Sequence, residues 1–148
     1  MNIRTIAAAT ALGLATLASV AMAHEGVKNE AVKARMILMK DIKDAVGVLG
    51  GMAKGEVSFD AAKADAAKEA LIRHSAQIPA AFEAEEMDPK SESKPEIWET
   101  WEDFVSKSEA LGAAAGELDT SDQAWIGPGM GKIGGTCKAC HETYRVKK

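Results

Sequence analysis

The sequence predicts an all-α protein, an antiparallel bundle of four helices. Four stretches carry apolar residues three and four positions apart, and none shows the period-two alternation of a strand. The connections between them are short, and short connections make neighbouring helices run in opposite directions. Residues 24–148, which follow an N-terminal leader, suffice for one domain with a modest core.

The first 23 residues have the pattern of a secretory signal peptide. Met1–Thr5 carries one cation, Ile6–Val20 is apolar or hydroxylated, and Ala21-Met22-Ala23 is a small-x-small cleavage site. An uncleaved anchor helix is the alternative, but the apolar run is shorter than the ~20 residues that span a bilayer. The sequence therefore predicts an exported protein whose mature chain is residues 24–148.

The charge of the chain excludes some classes of partner. Its formal net charge is −4, and removal of the leader with Arg4 makes the chain one unit more negative. An acidic chain is unsuited to nucleic acid and to an anionic membrane surface. We expect a protein without stable membrane insertion that meets other proteins through local patches.

The first predicted helix covers roughly Glu25 to Lys54. Glycines at 50, 51 and 55 signal its end. Its apolar residues repeat every seven positions, with two more between them, so one stripe faces a core. The stripe consists of Val32, Met39, Ile42, Val46, Leu49 and Ala53.

The second predicted helix begins after Ser58 or Asp60, either of which suits an N-cap, and covers Ala61–Phe82. Pro79 is expected to kink this helix or to end it at Ile78. The acidic segment 83–94 that follows is predicted to be a loop.

Pro95 opens the third predicted helix, since proline suits a first turn. The fourth lies between Thr120 and Lys147, with cap candidates at 120–122. Gly127-Pro128-Gly129 and Gly131 interrupt its early part, so its secure portion is Lys132–Arg145.

The strongest chemical signal is Cys137-Lys138-Ala139-Cys140-His141. Positions i, i+3 and i+4 of a helix share one face, so both thiols and the imidazole point the same way. Two thiols can bond the two vinyl groups on one edge of a haem while the imidazole reaches the iron. The spacing predicts one covalently attached haem c, with His141 as an iron ligand.

Three alternatives to haem compete for these residues. A thioredoxin-like redox pair needs a βαβ setting, which the pattern lacks. A structural zinc needs four ligands, and the only further histidines are the scattered His24 and His74. A structural disulfide explains neither the adjacent histidine nor the position in the chain.

The sixth iron site decides the function. A thioether there favours electron transfer, whereas an open site can bind a gas. Met39 is a candidate because it lies on the first helix's stripe, although a methionine there is more often core filling. The other methionines of the mature chain fit less well, and they are Met36, Met52, Met87 and Met130.

Two arginines are candidates for the haem's carboxylates. Arg35 lies one turn before Met39 on the core side, where an unpaired charge is costly, and a propionate would pair with it. The alternative is that Arg35 reaches the rim without a partner. Arg145 lies one turn after His141 and reaches either the haem edge or solvent.

Three aromatic residues have expected packing roles. Trp98 and Trp101 are expected to pack in the core, and Tyr144 is expected to pack against the haem.

Taken together, the leader, the helical chain and the C-terminal Cys-x-x-Cys-His motif resemble class II cytochromes c. The likeness rests most on residues 137–145, on Pro95-Glu96-Ile97-Trp98, and on Arg35, Met39 and Lys40. This family contains cytochrome c′ and the low-spin cytochrome c-556, and Leu38-Met39-Lys40 and residues 48–56 look most like the c-556 type.

The resemblance implies a periplasmic, monohaem, low-spin electron carrier with His141 and Met39 as axial ligands. It implies redox partner proteins in the periplasm, no catalysed reaction and, in many members, a homodimer through the first two helices. The alternative is a five-coordinate, cytochrome c′-like protein that binds nitric oxide or carbon monoxide.

Overall fold

The fold consists of helices joined by short connections, except for the longer segment between Phe82 and Glu96. The computed structural model of the protein describes residues 26–147, so the leader and His24 lie outside the described residues. Residues 26–147 form no β-strand, only an isolated antiparallel bridge between Ser93 and Arg145. The helices are α1 (Glu30–Ala53), α2 (Ala61–Phe82), α3 (Glu96–Glu99), α4 (Trp101–Gly116) and α5 (Gln123–Tyr144).

Four of these helices close into a ring around one core. α1 packs on α2 and α5, and α4 packs on the same two helices, so α1 lies diagonally across the bundle from α4. The single-turn helix α3 packs on α4 and α5. The predicted all-α four-helix bundle is confirmed, with α3 as an added turn. The most deeply buried large side chains are Val32, Leu49, Leu71, Ile97, Leu118, Ile126 and Ile133.

Side-chain caps fix where three helices begin. Oxygen atoms of Asn29, Asp60 and Asp122 accept hydrogen bonds of 3.0, 3.0 and 2.8 Å from backbone N–H groups two or three positions later. Each bond satisfies one of the N–H groups that a helix start leaves without a partner. α1 therefore begins later than predicted, and Asp60 rather than Ser58 caps α2.

The buried line of α1 differs from the predicted stripe. Met39 and two further members of the stripe, Val46 and Ala53, are only half-buried and pack against the side of the core. At each of these three positions the buried residue is the one directly before it in the sequence. The buried line consists of Val32, Arg35, Leu38, Ile42, Ala45, Leu49 and Met52. Met39 thus lies at the edge of the core rather than in its centre.

Pro79 does not end α2. The helix covers Ala61–Phe82 as predicted, so of the two effects expected of Pro79 the stop at Ile78 does not occur. A proline inside a helix costs about 3 kcal/mol because it removes one hydrogen bond and crowds the preceding turn. Here Ile78 and Phe82 lie on either side of the proline, and both are buried in the core. Their burial offsets the local cost of Pro79.

The early part of α5 is also helical, against the prediction that its glycines and Pro128 would interrupt it. Ile126 and Ile133 are both completely buried, so each end of this glycine-rich stretch is anchored in the core. Gly129 is needed here for close approach. A Cβ atom added to it would overlap the side chain of Leu118, which is buried in the loop before α5.

Gly129→Ala is expected to lower the free energy of unfolding by about 1–3 kcal/mol, the usual cost of overpacking. The added methyl would clash with the buried Leu118 side chain. Thermal unfolding of the haem-loaded protein measures the change. Gly131→Ala is the matched control because a Cβ there meets no atom within 4 Å, and it should stabilise α5 by up to about 1 kcal/mol. Equal melting temperatures for the two variants would contradict the packing argument.

The helix predicted to start at Pro95 is divided at Thr100. The backbone of Thr100 leaves the helical region, with φ −128° and ψ 51°, and separates α3 from α4. Its Oγ1 donates to the carbonyl of Glu96 at 2.8 Å and lies 2.7 Å from the hydroxyl of Tyr144. A threonine side chain that bonds the preceding turn competes with the helix backbone and bends it.

Candidate haem site

The cysteine motif lies in the last two turns of α5. The helical conformation predicted for it is confirmed, so Cys137, Cys140 and His141 share one helix face. Both cysteine side chains are half-buried and pack against the hydrophobic core, while His141 is exposed at the end of the bundle. The thiols thus lie where the interior meets the surface, which suits attachment of the edge of a large apolar ring.

Burial also favours the protonated form of both thiols. It raises the pKa of Cys137, and it raises the pKa of Cys140 against the opposing charge of Lys107 on α4. Because a thiol pKa lies near 8.5 before any shift, both groups are neutral thiols at neutral pH. Neutral sulfur atoms are compatible with the apolar core that they contact.

His141 has the properties of an available metal ligand. Desolvation lowers the pKa of its imidazole, the positive charge of Arg145 lowers it further, and Glu92 opposes the shift. The neutral imidazole, which is the form that binds iron, is therefore favoured.

Arg35 is deeply buried, with 2 % of its surface exposed. Its Nε and Nη1 donate to the carbonyls of Ala81 and Glu86 at 2.9 and 2.7 Å, and its Nη2 donates to the carbonyl of Ala84. The alternative in which Arg35 reaches the rim without a partner is therefore wrong. These bonds use three of the five N–H groups of the guanidinium, so pairing with a propionate stays a prediction.

Arg35→Leu is expected to lower the free energy of unfolding by about 3 kcal/mol, because three part-buried hydrogen bonds from a charged donor would be lost. Covalent haem should be retained, since the motif on α5 is untouched. If Arg35 also contacts a propionate, the reduction potential should shift. Lys43→Leu, which removes the same charge from an exposed site on α1, is the control. A potential that moves no more in Arg35→Leu than in the control would leave Arg35 a purely structural role.

Arg145 caps the end of α5 and is paired with the loop before α3. Its Nε donates to a carboxylate oxygen of Glu92 at 2.7 Å, and its Nη2 lies 2.5 Å from the same oxygen. The guanidinium and His141 line one surface depression of about 440 Å³, together with Lys138 and Lys147. Arg145 is thus on the same side of the molecule as His141, and its contact with the haem stays a prediction.

Met39 lies on α1, which packs directly on α5, and its side chain is half-buried against the core cluster that Cys137 and Cys140 also contact. Of the other methionines of the mature chain, Met52 is buried, Met36 and Met130 are half-buried, and Met87 is exposed. Met39 and Met36 therefore combine partial burial with a place on α1.

A polar cluster beside Cys140 was not anticipated from the sequence. Asp103 accepts hydrogen bonds from Lys107 and from the hydroxyl of Tyr144, the latter at 2.6 Å. These donors lower the pKa of Asp103. The spacing of Asp103 and Lys107 on one helix could have indicated their pairing, but not that Tyr144 joins them. Tyr144 is buried, with its ring edge-on to Phe104 at 5.3 Å.

The two tryptophans predicted to pack the core both pack partly buried against it. Trp98 also donates from Nε1 to the carbonyl of Phe82 at 2.7 Å.

The zinc alternative needs several ligands close together. Residues 26–147 contain no group of three or more His, Cys, Asp or Glu side chains placed to hold a metal ion.

Comparison with known proteins decides the family. A family model described as Cytochrome C′ matches residues 30–145, which include all five helices and the cysteine motif. The chain belongs to the cytochrome c′ family. Family membership and the two cysteines near the C-terminus identify its cofactor as covalently bound haem c. The donor set on α5 fits that cofactor, because it offers two thiols and a neutral imidazole on one helix face.

The similar proteins include some named cytochrome c-556 and some named cytochrome c′. A cytochrome c-556 from Agrobacterium fabrum is 35 % identical over 100 % of this chain and 99 % of its own. The solved cytochrome c′ of Rhodopseudomonas palustris is 29 % identical, with a TM-score of 0.74 over 82 % of this chain and 99 % of its own. A mutant cytochrome c prime from Alcaligenes xylosoxidans, solved as a nitric oxide complex, is 32 % identical, with a TM-score of 0.71 over 80 % and 95 %.

The sequence predicts a protein without stable membrane insertion, and this prediction concerns the helices of the bundle as well as the leader. None of the helices in the described part of the chain is both long and apolar enough to cross a membrane.

Proposed function

We propose that this protein is an exported, low-spin electron carrier whose haem iron is bound by His141 and Met39. The observation that carries the proposal is the position of Met39. Its thioether is half-buried on α1, and it packs against the core cluster that the two motif cysteines contact from α5. A methionine and a histidine on two helices that pack together are the ligand pair that favours electron transfer.

Each residue of the proposed site has a separate task. Cys137 and Cys140 would hold the ring on α5 through two thioether bonds, in each of which the sulfur would bond one vinyl carbon and the thiol hydrogen would pass to the other. His141 holds the iron from the α5 side, and Met39 supplies a neutral thioether from α1. When bound, haem supplies an iron that cycles between the ferric and ferrous states. Arg35 and Arg145 are proposed to act on the propionates.

The cellular setting follows from the leader. We propose that residues 1–23 direct export and are removed, so that residues 24–148 act in the periplasm with redox partner proteins. The protein then transforms no substrate itself, because the bundle only sets the ligation, burial and potential of the iron. A homodimer is proposed from the family resemblance.

A second function is gas binding at an open sixth site. The observation that favours it is the likeness to the Alcaligenes xylosoxidans protein, which was solved with nitric oxide. The two functions differ in one property, the occupancy of the sixth site in the resting protein.

Absorption spectra of the exported protein, oxidised and reduced, test the proposal. A Met–His ligand pair should give low-spin spectra in both states and a sulfur-to-iron charge-transfer band in the far red when oxidised. A high-spin spectrum without this band, together with rapid carbon monoxide binding by the reduced protein, would favour the gas-binding function instead.

A further inference from the structure

Residues 83–94, which join α2 to α3, form a segment that we call the strap. The strap contains no helix or strand beyond the single bridging residue Ser93, yet side chains and backbone atoms fasten it to other elements along its length. Its fastenings fall on the two helices that carry the proposed iron ligands. One group is on α1 and the residues just before it, and the other is on the last turn of α5.

Asp88 makes the first fastening, to the start of α1. Its Oδ2 accepts hydrogen bonds from the backbone N–H groups of Lys28 and Asn29 at 2.9 and 3.2 Å, and its Oδ1 accepts one from Lys90 within the strap at 2.9 Å. The residue is 9 % exposed, and these charge-assisted bonds are partly shielded from water. They lower the pKa of Asp88, and the carboxylate is therefore charged at neutral pH.

Arg35 makes the second fastening, one turn before Met39. Two of its three carbonyl acceptors, Ala84 and Glu86, belong to the strap. The guanidinium also lies 5.0 Å from the ring centre of Phe82 and 5.3 Å from that of Trp98. A planar cation held by hydrogen bonds and by two aromatic rings has little freedom to move. The strap is thus rigidly coupled to the turn of α1 that precedes Met39.

The third fastening joins the far end of the strap to α5. The N–H of Lys94 donates to the carbonyl of Tyr144 at 3.0 Å, and the N–H of Val146 donates to the carbonyl of Glu92 at 2.8 Å. The ion pair between Glu92 and Arg145 reinforces this contact one helical turn after His141. The same strap therefore grips α1 beside Met39 and α5 beside His141.

From this arrangement we propose that the strap, through Asp88, holds α1 and α5 at the separation that a Met39–iron–His141 unit requires. Asp88 is then a positioning residue for the sixth ligand. The inference rests on the proposed function. A metal–thioether bond tolerates changes in its length of only about tenths of an ångström. A helix α1 whose start is no longer bonded to the strap samples a wider range of positions. Release of the strap therefore shifts the population from the six-coordinate toward the five-coordinate state.

Asp88→Ala tests this inference in the full-length haem-loaded protein. The far-red charge-transfer band of the oxidised protein should lose a substantial part of its intensity, and the reduced protein should bind carbon monoxide about tenfold faster than the wild type. Asp88→Asn, which keeps the shape and one acceptor oxygen, should give an intermediate result. This second variant keeps the test informative if the alanine variant folds poorly.

Asp60→Ala is the matched control. Asp60 also bonds backbone N–H groups at a helix start, but it caps α2 beyond the C-terminal end of α1, away from the strap. It should lower the melting temperature and leave the band and the carbon monoxide rate unchanged.

Two results would overturn the inference, and they are distinguishable. If the wild type is low-spin and neither Asp88 substitution changes the band or the rate of carbon monoxide binding, Asp88 has only a structural role. The proposed function then stands. A wild type that is already high-spin overturns the proposed function, and this inference falls with it because no Met–iron bond exists to be positioned.

Discussion

Met39→Ala is expected to convert the protein from a low-spin to a high-spin cytochrome that binds gases. Alanine carries no atom that can bind iron, so the sixth site would open. The far-red sulfur-to-iron band of the oxidised protein should disappear, and the reduced protein should bind carbon monoxide or nitric oxide readily. The reduction potential should fall as well, because a neutral thioether stabilises ferrous iron.

Met36→Ala and Met52→Ala are the controls for this experiment. Both residues lie on α1, one half-buried like Met39 and one buried. They should keep the band, although Met52→Ala should reduce stability by about 2–5 kcal/mol because it leaves a cavity in the core. Loss of the band from one of these variants, with retention in Met39→Ala, would preserve the proposed function and reassign the ligand.

Replacement of both Cys137 and Cys140 by alanine is expected to abolish covalent haem attachment. The wild-type mature protein, denatured and weighed by mass spectrometry, should have the mass of the chain plus one haem. The double variant, produced in the same host, should have the mass of the bare chain. Its bundle should also be less stable, because a bound cofactor stabilises the folded state that binds it.

Each single cysteine variant is the internal control, since one remaining thiol can still form one thioether bond. A single variant should therefore keep haem after denaturation in at least part of the protein. The central assignment fails if the wild-type chain itself carries no haem when it is made by a host competent in haem attachment.

The four-helix architecture and the attachment motif were predictable because both depend on spacing along the chain. Helical periodicity is a local property, and Cys137, Cys140 and His141 come to one face of α5 through the geometry of that helix alone. The effect of Pro128 was misjudged, and that of Pro79 was left between a kink and a stop, for the opposite reason. Pro79 and Pro128 are unfavourable locally, and only the burial of apolar residues on both sides of each one keeps the helix intact.

The role of Arg35 shows where sequence reasoning stops. Its place on the core side of α1 indicated a buried charge, but its acceptors are backbone carbonyls about 50 positions away in sequence. Carbonyl groups are present in every residue, so no residue type marks them as partners. For the same reason the strap was predicted only as an acidic loop, although Asp88 in it is among the most buried polar residues in the part of the chain described.

The fluorescence of the three tryptophans would report their distances from the haem. Energy transfer from an excited indole to a haem falls steeply with distance. Trp98 and Trp101 are half-buried in the packed interior. Trp125 is 57 % exposed, and it lies on α5 about 18 Å along the axis from Cys137 at the helical rise of about 1.5 Å per residue. A water-borne quencher reaches Trp125 first, so fluorescence before and after quenching separates motion at the start of α5 from changes in the packed interior.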